Sequence, residues 1–353
     1  MKPETMTPLQ RVLTTLVQKE PDRVPLFLPV TMHGAKELGM TIREYFSRAE
    51  NVAEGQLRLR EKYRQDFFYA FFYGPVDVEA WGGEVVYRDD GPPNSGTPLI
   101  RNPEDITVLA PPRVADSPCL IKVLKAIELL KSRGGPDVPI VGVVMSPFSL
   151  PVMQMGFENY LKLIYERPAL FSRLMEANTA FCIEWANAQL SAGATAICYF
   201  DPVSSSTIVP RETYLKTGFE VARRTLAGIQ GPTATHMASG RCASILSDLA
   251  QTGTAIVGGS VLEDLAELKA ISAGKLTILG NLNGIEMRRW TSDQSASKVK
   301  DALAAAGPGG GFILGDNHGE IPWQVPEDVL LAISETVNEW GRYPLDWTSA
   351  YEK

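Results

Sequence analysis

The sequence predicts a closed barrel of eight parallel strands ringed by helices, a (β/α)8 TIM-type fold in a single domain over residues 1–353. Two observations carry this reading. Eight short apolar runs lack strict polar alternation, as strands buried on both faces do, and amphipathic helical stretches separate them. A third observation disfavours a doubly wound open sheet: no G-x-G-x-x-G follows the first run, and no G-x-x-x-x-G-K-[ST] occurs anywhere.

In chain order the runs are Val24–Thr31, Asp66–Phe72, Val138–Met145, Ala194–Phe200, Thr233–Met237, Thr254–Val257, Leu276–Leu279 and Gly311–Leu314. Helical periodicity spans Ile42–Tyr63, Leu120–Arg133, Pro168–Ala192, Arg211–Ala227, Cys242–Thr252, Leu262–Ser272, Ala296–Ala306 and Pro326–Glu339. Pro168 and Pro326 suit a first helical turn, and Gly193, Gly253 and Gly274 suit helix ends. A helical extension precedes the first strand. Residues 83–115, rich in Gly, Pro, Asn and Asp, read as a hairpin and long excursion after the second strand. Residues 146–156 read as an apolar loop after the third.

Composition narrows the function. Lys plus Arg is 34 against 41 Asp plus Glu, a net charge of −7, and no basic run occurs. Nucleic acid is therefore not the expected partner. No apolar stretch approaches a membrane span, and no secretion signal is visible near Met1. The four cysteines form no C-x-x-C pair, so a reducing, cytoplasmic setting is expected.

The chain has only three histidines, His33, His236 and His318. They fall at or just past the first, fifth and eighth predicted strands, which is the catalytic rim of a barrel. Asp201 follows the fourth strand, and Asp316 and Glu320 flank His318. Imidazoles and carboxylates can exchange protons near neutral pH or bind Zn²⁺. His236 and Cys242 are six residues apart, a weak ligand pair, and Cys242 reads better as a buried helix residue. The second run is densely aromatic, and most of it reads as core. Tyr73 at its end, with Phe148, Met153, Met155, Tyr199 and Trp323, suggests an apolar mouth suited to a flat organic ligand.

Several segments carry a resemblance. They are PDRVPLFLPV, EKYRQDFFYAFFYGPVDVEAWGGEV, GFENYLKLIYERPALFSRLMEANTAFCIEWANAQLSAGATAICYFDP, ILGNLNG and FILGDNHGEIPWQVPEDVL. In order and spacing they resemble the uroporphyrinogen decarboxylase superfamily and, within it, the corrinoid-dependent methyltransferase branch. The resemblance covers nearly the whole chain and implies one (β/α)8 barrel. It also has departures. Val30 and Gly34 stand where the decarboxylase arginines would be, and Tyr73 stands at its catalytic aspartate. Without that guanidinium fork, polycarboxylate decarboxylation is disfavoured. In the thiol-methylating members His236 would match a zinc ligand, but Ala238 and His318 replace the two cysteines.

The resemblance then implies a component that demethylates a methoxyaromatic substrate and passes the methyl group to cobalamin on a partner corrinoid protein. The expected catalytic group is His236, Asp201 and His318. The expected substrate contacts are His33, Tyr73, Phe148, Met155, Tyr199 and Trp323. A Zn²⁺ option would use His236, His318 and Glu320. A homo-oligomer is compatible with this reading. The alternatives are a thiol methyltransferase of the coenzyme M type, a decarboxylase, and a non-catalytic binding protein on the same barrel.

Overall fold

A computed structural model describes residues 4–351. The eight barrel strands are β1 Leu26–Phe27, β2 Phe68–Tyr69, β3 Ile140–Met145, β4 Ala196–Phe200, β5 Thr233–His236, β6 Ile256–Gly258, β7 Thr277–Leu282 and β8 Phe312–Asp316. Each lies within or overlaps one of the eight apolar runs. They pair in the order β1-β8-β7-β6-β5-β4-β3-β2, every neighbour parallel. The excursion after β2 is a small antiparallel hairpin, Val85–Val86 with Asn94–Ser95, followed by two 3₁₀ turns. No helix among the described residues is long and apolar enough to cross a membrane.

The barrel closes between β1 and β2, its two shortest strands, and side chains do much of the closing. One backbone bond crosses, Asp66 N to Leu26 O at 3.0 Å. Leu26 N donates to Asp66 Oδ2 at 2.8 Å and Leu28 N to Gln65 Oε1 at 2.9 Å. Gln56 bridges the same gap, donating to Val30 O and accepting from Tyr69 N, each at 3.1 Å. Buried backbone groups at the gap thus find side-chain partners where a longer ladder would supply main chain.

Phe27, Phe67, Tyr69, Val143, Cys198, Leu279 and Ile313 fill the interior. The helical extension is Pro8–Leu16, started by a Thr7–Gln10 capping box. Its Val12 and Leu16 plug the N-terminal end of the barrel. Arg11 and Arg23, both buried, reach Asp66 from there at 2.6 and 2.7 Å.

Two predicted helices are broken, each for a local reason. Ile42–Tyr63 splits at the extended Arg48 into Ile42–Ser47 and Ala49–Tyr63. The break lets Tyr45 wedge against Gly34 and Gly55, where an added Cβ would lie 2.2 and 2.6 Å from its ring system. Arg211–Ala227 splits at Thr217, which brings Gly218 against Ser204 and Phe148. The stretch Cys242–Thr252 is only a 3₁₀ turn and one helical turn, Ala243–Ile245 and Leu246–Leu249. The apolar loop at 146–156 contains a short helix, Pro151–Met155, that periodicity over so few residues does not reveal.

Removing the Asp66 charge takes away the buried carboxylate that both guanidiniums share, leaving Arg11 on Asp22 and Glu4 and Arg23 on Glu4 alone. Asp66→Asn is expected to lower stability by about 3–5 kcal/mol, read as a lower urea midpoint. An unchanged midpoint would remove the seam from the account of barrel closure.

Candidate active site

His236 ends β5 in register with Phe200 of β4 and Gly258 of β6, so its ring points into the barrel at the C-terminal rim. The ring stacks on Phe200, with centroids 5.4 Å apart and planes 11° from parallel. Gly258 and Gly319 make room for it. A Cβ on Gly258 would lie 2.8 Å from His236 Cδ2, and one on Gly319 would lie 3.4 Å from Cε1.

Hydrogen bonding fixes the tautomer. His236 Nδ1 accepts from Ala238 N at 3.0 Å. A ring nitrogen that accepts has no proton, so in the neutral ring Nε2 carries it. Nε2 is buried and has no partner. Burial lowers the His236 pKa to about 4, against opposing attraction from Asp316, so the ring is neutral near pH 7. The result is a buried N–H donor that makes no well-formed hydrogen bond among the described residues, with the Asp316 backbone as its nearby acceptor. Ala238 adopts φ +50°, a left-handed conformation uncommon outside glycine, in the turn that delivers this N–H.

The loop after β8 roofs the site. Asp316 accepts from Gly284 N, His318 N and Gly319 N at 2.7 to 3.0 Å, which pins the loop. Tyr69 donates its hydroxyl to Gly319 O at 3.2 Å from inside the barrel. Glu320 bonds the Thr31 hydroxyl, tying this loop to the one after β1. Burial and nearby Asp316 push the Glu320 carboxyl up to about 7. His33 lies at the same end, buried, with neither ring nitrogen hydrogen-bonded among the described residues, and burial with Lys36 and Lys62 lowers its pKa to about 3. Trp323 is its neighbour, 6.3 Å away ring to ring.

The structure therefore sets all three histidines at the C-terminal end of the barrel, but not with the companions expected for them. Asp201 does not pair with the His236 ring. Its carboxylate accepts from Ser146, Ser149 and Ser204 at 2.6 to 2.7 Å, and only its backbone N reaches His236 O. It ties the β3 and β4 loops together. Tyr73 is not in the mouth either: it packs on Phe46, Phe72 and Tyr87, and its hydroxyl bonds Glu79 at 2.7 Å. Phe148 and Met155 lie in the outer core with Tyr160 and Phe171. Tyr199 faces the helices with Trp185 and Phe181, because it alternates with the inward Cys198 and Phe200.

The expected zinc set does not assemble. Among the described residues no group of three His, Cys, Asp or Glu side chains is arranged to hold a metal ion. His318 Nδ1 sits 3.2 Å from Asp316, and Glu320 is turned to Thr31. A zinc-ligating histidine donates its second N–H to an acceptor; His236 instead receives one there. Cys242 is buried, its thiol directed at Gly258 O. The donors present do not fit zinc.

Sequence reading missed Tyr69, Gly258 and Gly319. Tyr69 looked like core, and only the strand register separates it from its neighbours. The glycines had a signal: each sits at or just past a strand end, and Gly319 directly follows His318.

A family model described as uroporphyrinogen decarboxylase (URO-D) matches residues 7–340. The chain belongs to the uroporphyrinogen decarboxylase family. Within the family it is similar to the methylcobamide:CoM methyltransferase MtaA of Methanosarcina barkeri strain Fusaro, at 28% identity over 92% of this chain and 96% of that protein. It is also similar to the uroporphyrinogen decarboxylase of Cupriavidus necator, at 26% over 73% and 74%. A solved structure, a methyltransferase from Methanosarcina mazei, superposes with TM-score 0.84 at 21% identity over 95% and 99% of the two chains, a likeness of fold.

The positions compared with the decarboxylase arginines are closed to long side chains. Val30 is fully buried, and Gly34 faces the Tyr45 hydroxyl.

The buried neutral ring has a pH signature. Between pH 6.5 and 4 the unfolded chain binds a proton at His236 that the folded chain excludes, so stability falls as pH drops through that window. Going from pH 7 to 4.5, the His236 share is about 2–3 kcal/mol. His236→Gln should therefore lose less stability than the parent over that interval in urea titrations. Identical pH dependence would mean the ring is not buried uncharged.

Proposed function

We propose that this chain is a corrinoid-dependent methyltransferase that takes a methyl group from a small methoxyaromatic substrate and delivers it to the cobalamin of a partner corrinoid protein. The single observation that carries the reading is the unpaired Nε2–H of His236, held neutral against Phe200 at the barrel rim. The similarity to a methylcobamide:CoM methyltransferase supports the class.

An aryl methyl ether resists attack because phenolate leaves poorly. The reduced corrinoid is the methyl acceptor and supplies the nucleophile. The methyl–oxygen bond breaks, and both of its electrons stay on oxygen. His236 Nε2–H donates a hydrogen bond to that oxygen as its charge grows. The low pKa keeps the ring neutral; the N–H of a neutral imidazole is a much weaker acid than a phenol, so it donates a hydrogen bond and keeps its proton, and the phenolate is protonated by water after release. The low-dielectric surroundings of Phe200 strengthen the bond at the moment charge develops. In this reading His33 and Trp323, neighbours on the β1 side, orient the substrate. His318, held by Asp316, completes the polar edge of the rim.

The test mixes the purified chain with a reduced corrinoid protein and a panel of methoxyarenes, and follows the cobalamin absorbance. Methylcobalamin should form with at least one methoxyarene, and His236→Phe should slow it by about 10²–10³-fold. If every methoxyarene fails while a methylated thiol or coenzyme M is turned over, the thiol reading that the MtaA likeness favours replaces this one.

A further inference from the structure

A cleft of about 370 Å³ opens at the N-terminal end of the barrel, opposite the His236 rim, between the helical extension, the helix Ala49–Tyr63 and the C-terminal segment. Its walls carry four arginines (Arg23, Arg60, Arg64 and Arg342) and three carboxylates (Glu4, Glu61 and Asp66), with Gln65 and Asn338 beside them. The charges divide into two sets. Arg11 and Arg23 are matched by Asp66, Asp22 and Glu4. Arg60 and Arg342 are not: among the described residues neither has an ion pair. Arg342 spends only its Nε, on Asn338 O. Arg60 lies over the Phe68 ring, and its Nε is buried without an acceptor.

Gln65 supplies an independent sign. It is about 1% exposed, and its amide orientation is fixed because Oε1 accepts from Leu28 N. Among the described residues its Nε2 is left as a buried donor with no partner. Unpaired buried donors are costly and call for an acceptor. Two guanidiniums and an amide add donors to a cleft whose Glu4 and Asp66 are already paired with Arg11 and Arg23, and guanidinium forks match the paired oxygens of carboxylate or phosphate.

We propose that this cleft is a binding site for a small oxyanion, a phosphate- or carboxylate-bearing molecule, with Arg60, Arg342 and Gln65 Nε2 as its donors. The site lies at the β1–β2 seam, since Gln65 and Asp66 are the residues that close the barrel. An occupant joins the helix bearing Arg60, the seam and the C-terminal segment, so binding stabilises the closed barrel. The inference is independent of the chemistry at His236.

The experiment titrates the full-length chain with inorganic phosphate and, separately, with succinate, at constant ionic strength maintained by sodium chloride. Calorimetry and thermal melting are the readouts. One equivalent of at least one anion should bind saturably and raise Tm, and whichever binds tighter identifies the headgroup chemistry. Arg342→Gln and Arg60→Gln should each weaken binding at least tenfold. Should Arg60→Gln fail to fold, Arg342→Gln, a half-buried site near the chain's end, decides alone. Absence of saturable binding by both anions, or unchanged affinity in the folded variants, overturns the proposal.

Discussion

One hydrogen bond governs the chemistry available at the rim: Ala238 N–H to His236 Nδ1. It decides which ring nitrogen bears the proton. Burial decides that there is only one proton to bear. Together they make the imidazole a neutral donor held against Phe200 at the barrel rim, which is a tool for stabilising negative charge that develops on a nearby oxygen. The same bond argues against a zinc ligand at this position. A thiol-activating metal site needs a histidine oriented the other way about, and soft partners that Ala238 and His318 do not offer.

The ring holds its place because its surroundings were emptied for it. Gly258 and Gly319 leave the space, Phe200 supplies the stacking face, and the pinned β8 loop closes the top. That loop is anchored from three directions by Asp316, Tyr69 and Glu320. The anchors in turn need a closed barrel, because Tyr69 belongs to β2, whose connection to β1 depends on Gln56, Gln65 and Asp66. The seam and the site are thus linked through one short strand.

The strand positions were legible because hydrophobic runs in a parallel sheet have no polar face to blur them. Ala194–Phe200 is nearly all strand, whereas Val24–Thr31 marks the place of a strand that is only two residues long. Helix breaks at Arg48 and Thr217 were not legible, since they answer to tertiary contacts of Tyr45 and Gly218 that periodicity does not contain. The rim histidines were legible for the same reason as the strands: position at a strand end is a one-dimensional property. Their partners were not. Asp201 sits one residue past Phe200, yet its carboxylate turns to three serines. Tyr199 and Phe200 are adjacent, and pleating sends them to opposite layers. Sequence supplies the depth of a residue along the barrel axis, while the face it presents depends on register that must be seen.

The most direct measurement is the protonation pattern of the His236 ring by two-dimensional ¹H–¹⁵N NMR on the ¹⁵N-histidine-labelled chain at pH 7. The account predicts a neutral ring protonated at Nε2, with an unprotonated, hydrogen-bonded Nδ1. A signal showing the proton on Nδ1, or a doubly protonated imidazolium, would contradict it.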